Sequence, residues 1–248
     1  MHFVILTNGN EFCTKLLRNF RANQSFKNVK VLVEIPLSLD HFIYRNEKKS
    51  FCLKAKLVFR FFRHLKYLAI FFFKNINFFR QFVFIREINH SRTLNFFNKK
   101  KIDVVFLAGM SILKKEILNS VNIGVYNCHP ALVPHVRGVD VIYHSVLNLI
   151  PLIISIHKVD EGIDTGNLIK SIKIPKNLIN EKSYDVLNDK ILNFASYEFS
   201  KFINYYIENK LEDKSTKQYK NLQILPYCKK VENKNYNLFF DYLKKLYK

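Results

Sequence analysis

Glycine and proline are scarce in this chain, six of each in 248 residues. Average usage would supply roughly three times as many glycines. The six that remain, Gly9, Gly109, Gly124, Gly138, Gly162 and Gly166, are expected at or beside turns, where a side chain would obstruct the backbone or a ligand. Cysteine is rare too. Cys13, Cys52, Cys128 and Cys228 are scattered with no CxxC pair, which argues against a structural zinc site or a disulfide scaffold and points to a reducing, cytoplasmic setting. No apolar run approaches the ~20 residues of a bilayer span; "YLAIFFF" (67–73) is the longest, between Lys66 and Lys74. The opening "MHFVILTNGNEF" lacks the basic start and long apolar stretch of a signal peptide and reads as a buried strand followed by a turn. No internal repeat is visible.

Acidic residues are outnumbered two to one, 20 against 40 Lys and Arg, for a net charge of +20. The imbalance concentrates between Arg45 and Lys101, which hold fifteen Lys and Arg against Glu47 and Glu87, together with thirteen of the 24 Phe. Basic residues interleaved with aromatics suit an anionic partner, either nucleic acid or, weakly, a membrane surface. The competing reading is amphipathic helices that bury Phe and expose Lys. No RNA-binding pattern accompanies the aromatics, so the expectation is that most of these Phe are buried beside a sheet.

What is present is an alternation of strand and helix in a chain that is 48% hydrophobic. Apolar runs at 2–7, 29–35, 103–108, 123–129 and 153–159 read as strands, and 167–174 as a hairpin partner of the last. Helical spacing follows the first run (Phe12, Leu16, Leu17, Phe20) and the third (Ile112, Leu113, Ile117, Leu118). Two helices are expected within 54–98. A long helix over 181–207 carries the stripe Tyr184, Leu187, Ile191, Ala195, Phe199, Phe202 and Tyr206. The pattern predicts an α/β fold, a Rossmann-like, mostly parallel sheet with helices on both faces. The expected organisation is a domain over 1–207 and a short C-terminal tail or appendage over 208–248.

Three of the six prolines, Pro130, Pro134 and Pro151, frame the segment after the fourth strand, which contains "NCHPALVPHVRG" (127–138). Sites in open α/β sheets form beyond the carboxyl ends of strands. Residues two apart on a strand point to the same side, so Asn127 and His129 can face one substrate. An imidazole can give a proton or a hydrogen bond to developing oxygen charge, and an amide N–H adds a second fixed donor. That pair suits addition of a nucleophile to a carbonyl. A carboxylate to orient the ring comes from "VDEGIDTG" (159–166), where Asp164 lies between Gly162 and Gly166. Asp164 could equally serve as an Asx-type turn between two strands.

Together the two stretches resemble the folate-dependent formyltransferases, in the methionyl-tRNA and sugar N-formyltransferase branch. That family's pattern is Asn-x-His, a Leu-Pro turn, a following Gly, then a His-x-x-Asp-x-x-x-Asp-x-Gly loop, matched here by His157, Asp160, Asp164 and Gly166. "ILTNGNEFCTKLL" and "YDVLNDKILNFASYEF" are also similar. The likeness covers roughly 1–10 and 100–207, is weak over 40–95, and stops at 208. It implies Asn127, His129 and Asp164 as the catalytic trio and N10-formyltetrahydrofolate as formyl donor. Backbone at Ala108, Gly109 and Met110 and the loop Asp160, Glu161 and Gly162 would hold the donor. Asn8, Gly9, Asn10, Arg137 and Gly138 would lie near the acceptor. Arg137 would contact phosphate, or else pair with Asp140.

His157 is expected to pack beside the site, and His135 and His144 to be surface or helix residues. Two departures stand out: Ile153 where the family often has Gly, in an apolar loop "NLIPLI" that suits contact with a second copy as a homodimer, and Cys128 for an aliphatic residue. A methionyl-tRNA enzyme normally carries a further β-rich domain after the core, and the glycinamide ribonucleotide enzyme a first turn richer in Gly and Ser. The resemblance therefore implies a nucleotide-linked amino sugar as acceptor. Phosphoribosylglycinamide or methionyl-tRNA are the alternatives, and a non-catalytic basic binding protein on the same fold is the reading of another class.

Overall fold

Phe3–Thr7 is buried along its whole length, as a strand is when both faces of its sheet are covered; it forms β1. In the computed structural model, residues 1–21, 24–34, 66, 81–209 and 223–247 are described. Val29–Glu34 (β2), Phe82–Ile85 (β3) and Val104–Ala108 (β4) join β1, followed by Gly124–His129 (β5), Ile153–Lys158 (β6) and Leu168–Lys173 (β7). The seven strands make a mostly parallel sheet in the order β3-β2-β1-β4-β5-β6-β7. With its helices this is the expected α/β fold.

The chain divides into two compact units. The first, Met1–Thr14 with Gln24–Ile123, contains the parallel strands: Phe3 lies opposite Val29 and Val104, and Val31 opposite Phe82. Helix α1 (Glu11–Phe20) starts here, and α2 (Ser91–Lys100) and α3 (Lys115–Asn119) follow. His90 caps α2 by accepting the Arg92 N–H at 3.1 Å. The expected pair of helices within 54–98 falls largely outside the described residues. The described part of that range instead contains strand β3 and α2. Of the Phe-rich stretch, Phe82 and Phe97 are buried and Phe84 is exposed; the Phe residues between 45 and 80 lie outside the described residues.

The second unit, Lys15–Asn23 with Gly124–Lys248, is built on an antiparallel arrangement of β5, β6 and β7. It also contains α4 (Val141–Leu147), α5 (Lys176–Ile179), α6 (Tyr184–Asn209) and α7 (Tyr236–Tyr247). The α6 stripe expected from the sequence is buried at every position. Tyr126 of β5 meets it, its ring 5.1 Å from that of Tyr206 and their hydroxyls 3.1 Å apart. Burying rings of this size contributes on the order of 2 kcal/mol each. Lys15 pairs with Asp189, and Arg18 donates to Asn193 at 2.7 Å, so the end of α1 is fastened to α6.

Helix α7 was not read from the sequence, although Tyr236, Phe239, Leu243 and Tyr247 have helical spacing. Phe239 stacks on Tyr143 of α4 at 5.6 Å, and the Tyr247 hydroxyl accepts the Leu152 N–H at 3.0 Å. In the loop "NLIPLI", Ile150, Leu152 and Ile153 are buried within their own unit, while Leu149 is exposed. Among the described residues no helix is long and apolar enough to cross a membrane.

Candidate active site

The end of β5 sets the site. The antiparallel register with β6 places His157 opposite Asn127 and Ser155 opposite His129. Asn127 Nδ2 lies 3.4 Å from His157 Nε2, and His157 Nδ1 lies 3.1 Å from the Lys158 carbonyl. A carbonyl only accepts, so Nδ1 carries the His157 proton and Nε2 is left to accept from the Asn127 amide. That contact fixes the amide's orientation and leaves its second N–H for a ligand.

The same reasoning applies to His129. Its Nε2 lies 3.1 Å from the Val136 carbonyl and therefore donates, which leaves Nδ1 as the atom that can gain or lose a proton. Asp164 Oδ2 is 3.7 Å from that Nδ1, and its Oδ1 is 3.6 Å from His157 Nε2. One carboxylate thus spans two imidazoles whose rings stand at 90°. Asp164 adopts φ +52°, a left-handed conformation that Asp tolerates better than most residues. Its Oδ2 accepts the Gly138 N–H at 3.1 Å. The Asx turn weighed for Asp164 belongs to Asp160, whose Oδ1 accepts from Gly162 N at 3.1 Å and Thr165 Oγ1 at 2.6 Å. Gly166 closes the loop where a Cβ would meet the Lys158 carbonyl at 1.8 Å.

Burial pushes the His129 pKa below its ordinary 6.5, against the opposing pull of Asp164 and the Val136 carbonyl. Burial and then the neighbouring His129 push His157 in the same direction. Both shifts disfavour the charged form of the rings. Because the unfolded chain binds these protons more readily, their contribution to stability is complete above about 6.5 and is lost as pH falls through the lowered folded values. Thermal melts between about pH 8 and pH 5 should show the melting temperature falling on the acid side. His157→Gln should flatten that slope, and an equal slope in the variant would contradict the assignment.

In the first unit the structure groups the other expected residues. Thr7 Oγ1 donates to the Ala108 carbonyl at 2.9 Å and accepts Gly9 N at 2.9 Å, and both Asn8 N and Asn10 Nδ2 reach the Gly109 carbonyl at 3.4 Å. A Cβ on Gly109 would overlap the Asn10 side chain at 1.5 Å. Asn10 Oδ1 also accepts Cys13 N at 2.9 Å, so this side chain caps α1. Asn8 Oδ1 is buried with no partner among the described residues. Met110 is half-buried, and among the described residues its side chain makes no polar contact.

In the second unit Arg137 does not pair with Asp140, which is taken by Lys234 at 2.8 Å and Val231 N at 2.9 Å. Arg137 Nε is buried with no partner among the described residues. Glu161 and Gly162 are exposed beside Asp160. His144 lies in α4, but His135 is not a surface residue: it is buried, with Nδ1 3.2 Å from the Gln223 carbonyl. A cavity of about 740 Å³ between α5 and α7 contains none of these groups. Among the described residues no cluster of three or more His, Cys, Asp or Glu could hold a metal ion. His157 packs beside the site as expected, in register opposite Asn127; the Gly138 N–H was not legible from the sequence.

A protein-family model described as formyl transferase matches residues 71–203, more than half of the chain. A curated methionyl-tRNA formyltransferase of Wolbachia pipientis subsp. Culex pipiens (strain wPip) is 38% identical over 112 residues, 44% of this chain and 36% of its own length. The chain thus spans little more than a third of that relative. Among solved structures, a sugar N-formyltransferase from Shewanella sp FDAARGOS_354 matches with a TM-score of 0.59 at 16% identity, covering 99% of this chain and 87% of its own. A sugar 3N-formyl transferase, WlaRD, in the presence of dTDP and 5-N-formyl-THF, matches with a TM-score of 0.55 at 19% identity over 88% and 68%. A phosphoribosylglycinamide formyltransferase from Anaplasma phagocytophilum matches with a TM-score of 0.56 at 16% over 90% and 94%. At such identities these structures establish likeness of fold.

Proposed function

The chain belongs to the formyl transferase family, and on that premise we propose that it moves a formyl group from N10-formyltetrahydrofolate to an amine of a nucleotide-linked amino sugar. The observation that carries this reading is the Asp164 carboxylate held between His129 and His157, with the Asn127 amide fixed beside them. Such a set fits a formyl carbonyl: one amide N–H and one protonatable ring nitrogen at the same strand end. When bound, the donor supplies that carbonyl in activated form. Asn127 gives its free N–H to the developing oxygen charge. As the acceptor amine bonds to the formyl carbon, its proton passes to His129 Nδ1, whose cation Asp164 Oδ2 balances, and on to the departing nitrogen as the donor's carbon–nitrogen bond breaks. Asp160, Glu161 and Gly162, with Ala108, Gly109 and Met110, are the proposed donor-binding backbone. Asn8, Gly9, Asn10, Arg137 and Gly138 are the proposed acceptor contacts.

Two observations favour an amino-sugar nucleotide. The solved sugar N-formyltransferase shares its fold with nearly the whole chain, and the unpartnered Nε of Arg137 belongs to a planar fork that suits phosphate oxygens. The curated relatives, named as methionyl-tRNA formyltransferases, favour the second reading. A panel of nucleotide-linked amino sugars, phosphoribosylglycinamide and methionyl-tRNA, assayed with the same folate donor, separates them. Turnover is expected on an amino-sugar nucleotide, and Arg137→Ala should raise its KM about tenfold or more while leaving folate binding alone. Efficient formylation of methionyl-tRNA with no sugar activity would select the second reading.

A further inference from the structure

The loop that leads away from His129 does not stand alone. A segment near the C-terminus runs beside it: Leu225 N donates to the His135 carbonyl at 2.8 Å, Cys228 N to the Arg137 carbonyl at 2.8 Å, and Val139 N to the Cys228 carbonyl at 2.9 Å. The last two bonds form a parallel bridge between Gly138 and Cys228. In a parallel ladder the residue whose two neighbours are bonded turns its own N–H and C=O to the opposite side. Gly138 does this, and its outward N–H is the donor that Asp164 Oδ2 accepts at 3.1 Å. Among the described residues no other group donates to Asp164 within hydrogen-bond distance; the two imidazoles stand at 3.6 and 3.7 Å.

The contact is close enough to dictate the residue. Gly138 has φ +106°, and a Cβ there would lie 2.4 Å from the Cys228 carbonyl oxygen and 2.7 Å from the Tyr227 ring. The segment is anchored on both sides. Leu225 and Cys228 are buried with Leu132, Val136, Val141 and Ile153, and beyond them Asp140 holds Val231 N and Lys234.

We propose that residues 225–228 are a strap that positions the Asp164 carboxylate: its ladder bonds aim the Gly138 N–H, and that N–H holds Asp164 against the two imidazoles. Cys228 and Gly138 are in this sense positioning residues acting through their backbones. The strap holds Asp164 in the free protein, whichever acceptor is used.

The test is an NMR titration of the His129 ring, which senses Asp164 because the carboxylate raises its pKa. Cys228→Pro deletes the strap's N–H donor, and Cys228→Ala keeps it while removing the thiol. The His129 pKa should fall by about one pH unit in the proline variant and stay at the wild-type value in the alanine variant. Gly138→Ala, which cannot coexist with the strap in its present place, gives the same readout if the proline variant does not fold, and should also lower the value. A folded Cys228→Pro or Gly138→Ala protein with the wild-type His129 titration would overturn the proposal. So would a drop in Cys228→Ala as large as that in Cys228→Pro.

Discussion

Asn127→Ala is expected to lower formyl-transfer turnover on the order of a hundredfold or more, and His129→Ala at least as much. The two losses differ in origin. Asn127 is half-buried, and its amide is oriented by His157 Nε2 at 3.4 Å. Alanine there removes a donor that matters only as oxygen charge develops, so KM should change far less than kcat. His129 is buried and donates to the Val136 carbonyl at 3.1 Å. Its removal also leaves that carbonyl unpaired, at a cost of about 1–3 kcal/mol. A thermal melt beside the kinetics separates the two effects, and near-normal turnover in either folded variant contradicts the proposed chemistry.

Asp164→Asn is expected to lower turnover about a hundred- to ten-thousandfold with the fold retained. Asn tolerates the left-handed φ of +52°, and its Oδ1 can still accept the Gly138 N–H. What goes is charge. The His129 cation loses the negative charge of the carboxylate that lies 3.7 Å from its Nδ1, and its pKa, already depressed by burial, should fall further. A rate within a few fold of wild type, or an unmoved His129 titration, would show that this carboxylate is not the partner of the ring.

Much of the fold was legible because burial imposes periods on the sequence. Phe3–Leu6 and Val104–Ala108 are apolar without interruption, as suits strands covered on both faces, and the α6 stripe returns every three or four residues. Where that signal is short it fails. Phe82–Ile85 is a four-residue strand within a Phe-rich stretch, where apolar residues are too frequent to show a period. Helix α7 has eight aromatic or aliphatic residues in twelve, so the buried stripe does not stand out from its neighbours.

The candidate site was legible to the extent that its chemistry sits in side chains at fixed spacing: Asn127 and His129 two apart on one strand, Asp164 between two glycines. Its remaining parts are matters of register and backbone. His157 reaches Asn127 and Asp164 only because β5 and β6 pair antiparallel, and the Gly138 N–H faces Asp164 only because a segment ninety positions later bonds its neighbours. No local pattern encodes a contact between residues so far apart. Likewise Arg137 and Asp140, three apart, read as a pair until Lys234 takes the carboxylate.

The measurement that bears most directly on the central claim follows an isotopically labelled formyl carbon from N10-formyltetrahydrofolate into an amine acceptor, with wild-type protein and Asn127→Ala side by side. The account predicts labelled amide on an amino-sugar nucleotide with the wild type, and product formation about a hundredfold slower with the variant. Absence of labelled amide on every acceptor tried, or equal rates for the two proteins, would contradict it.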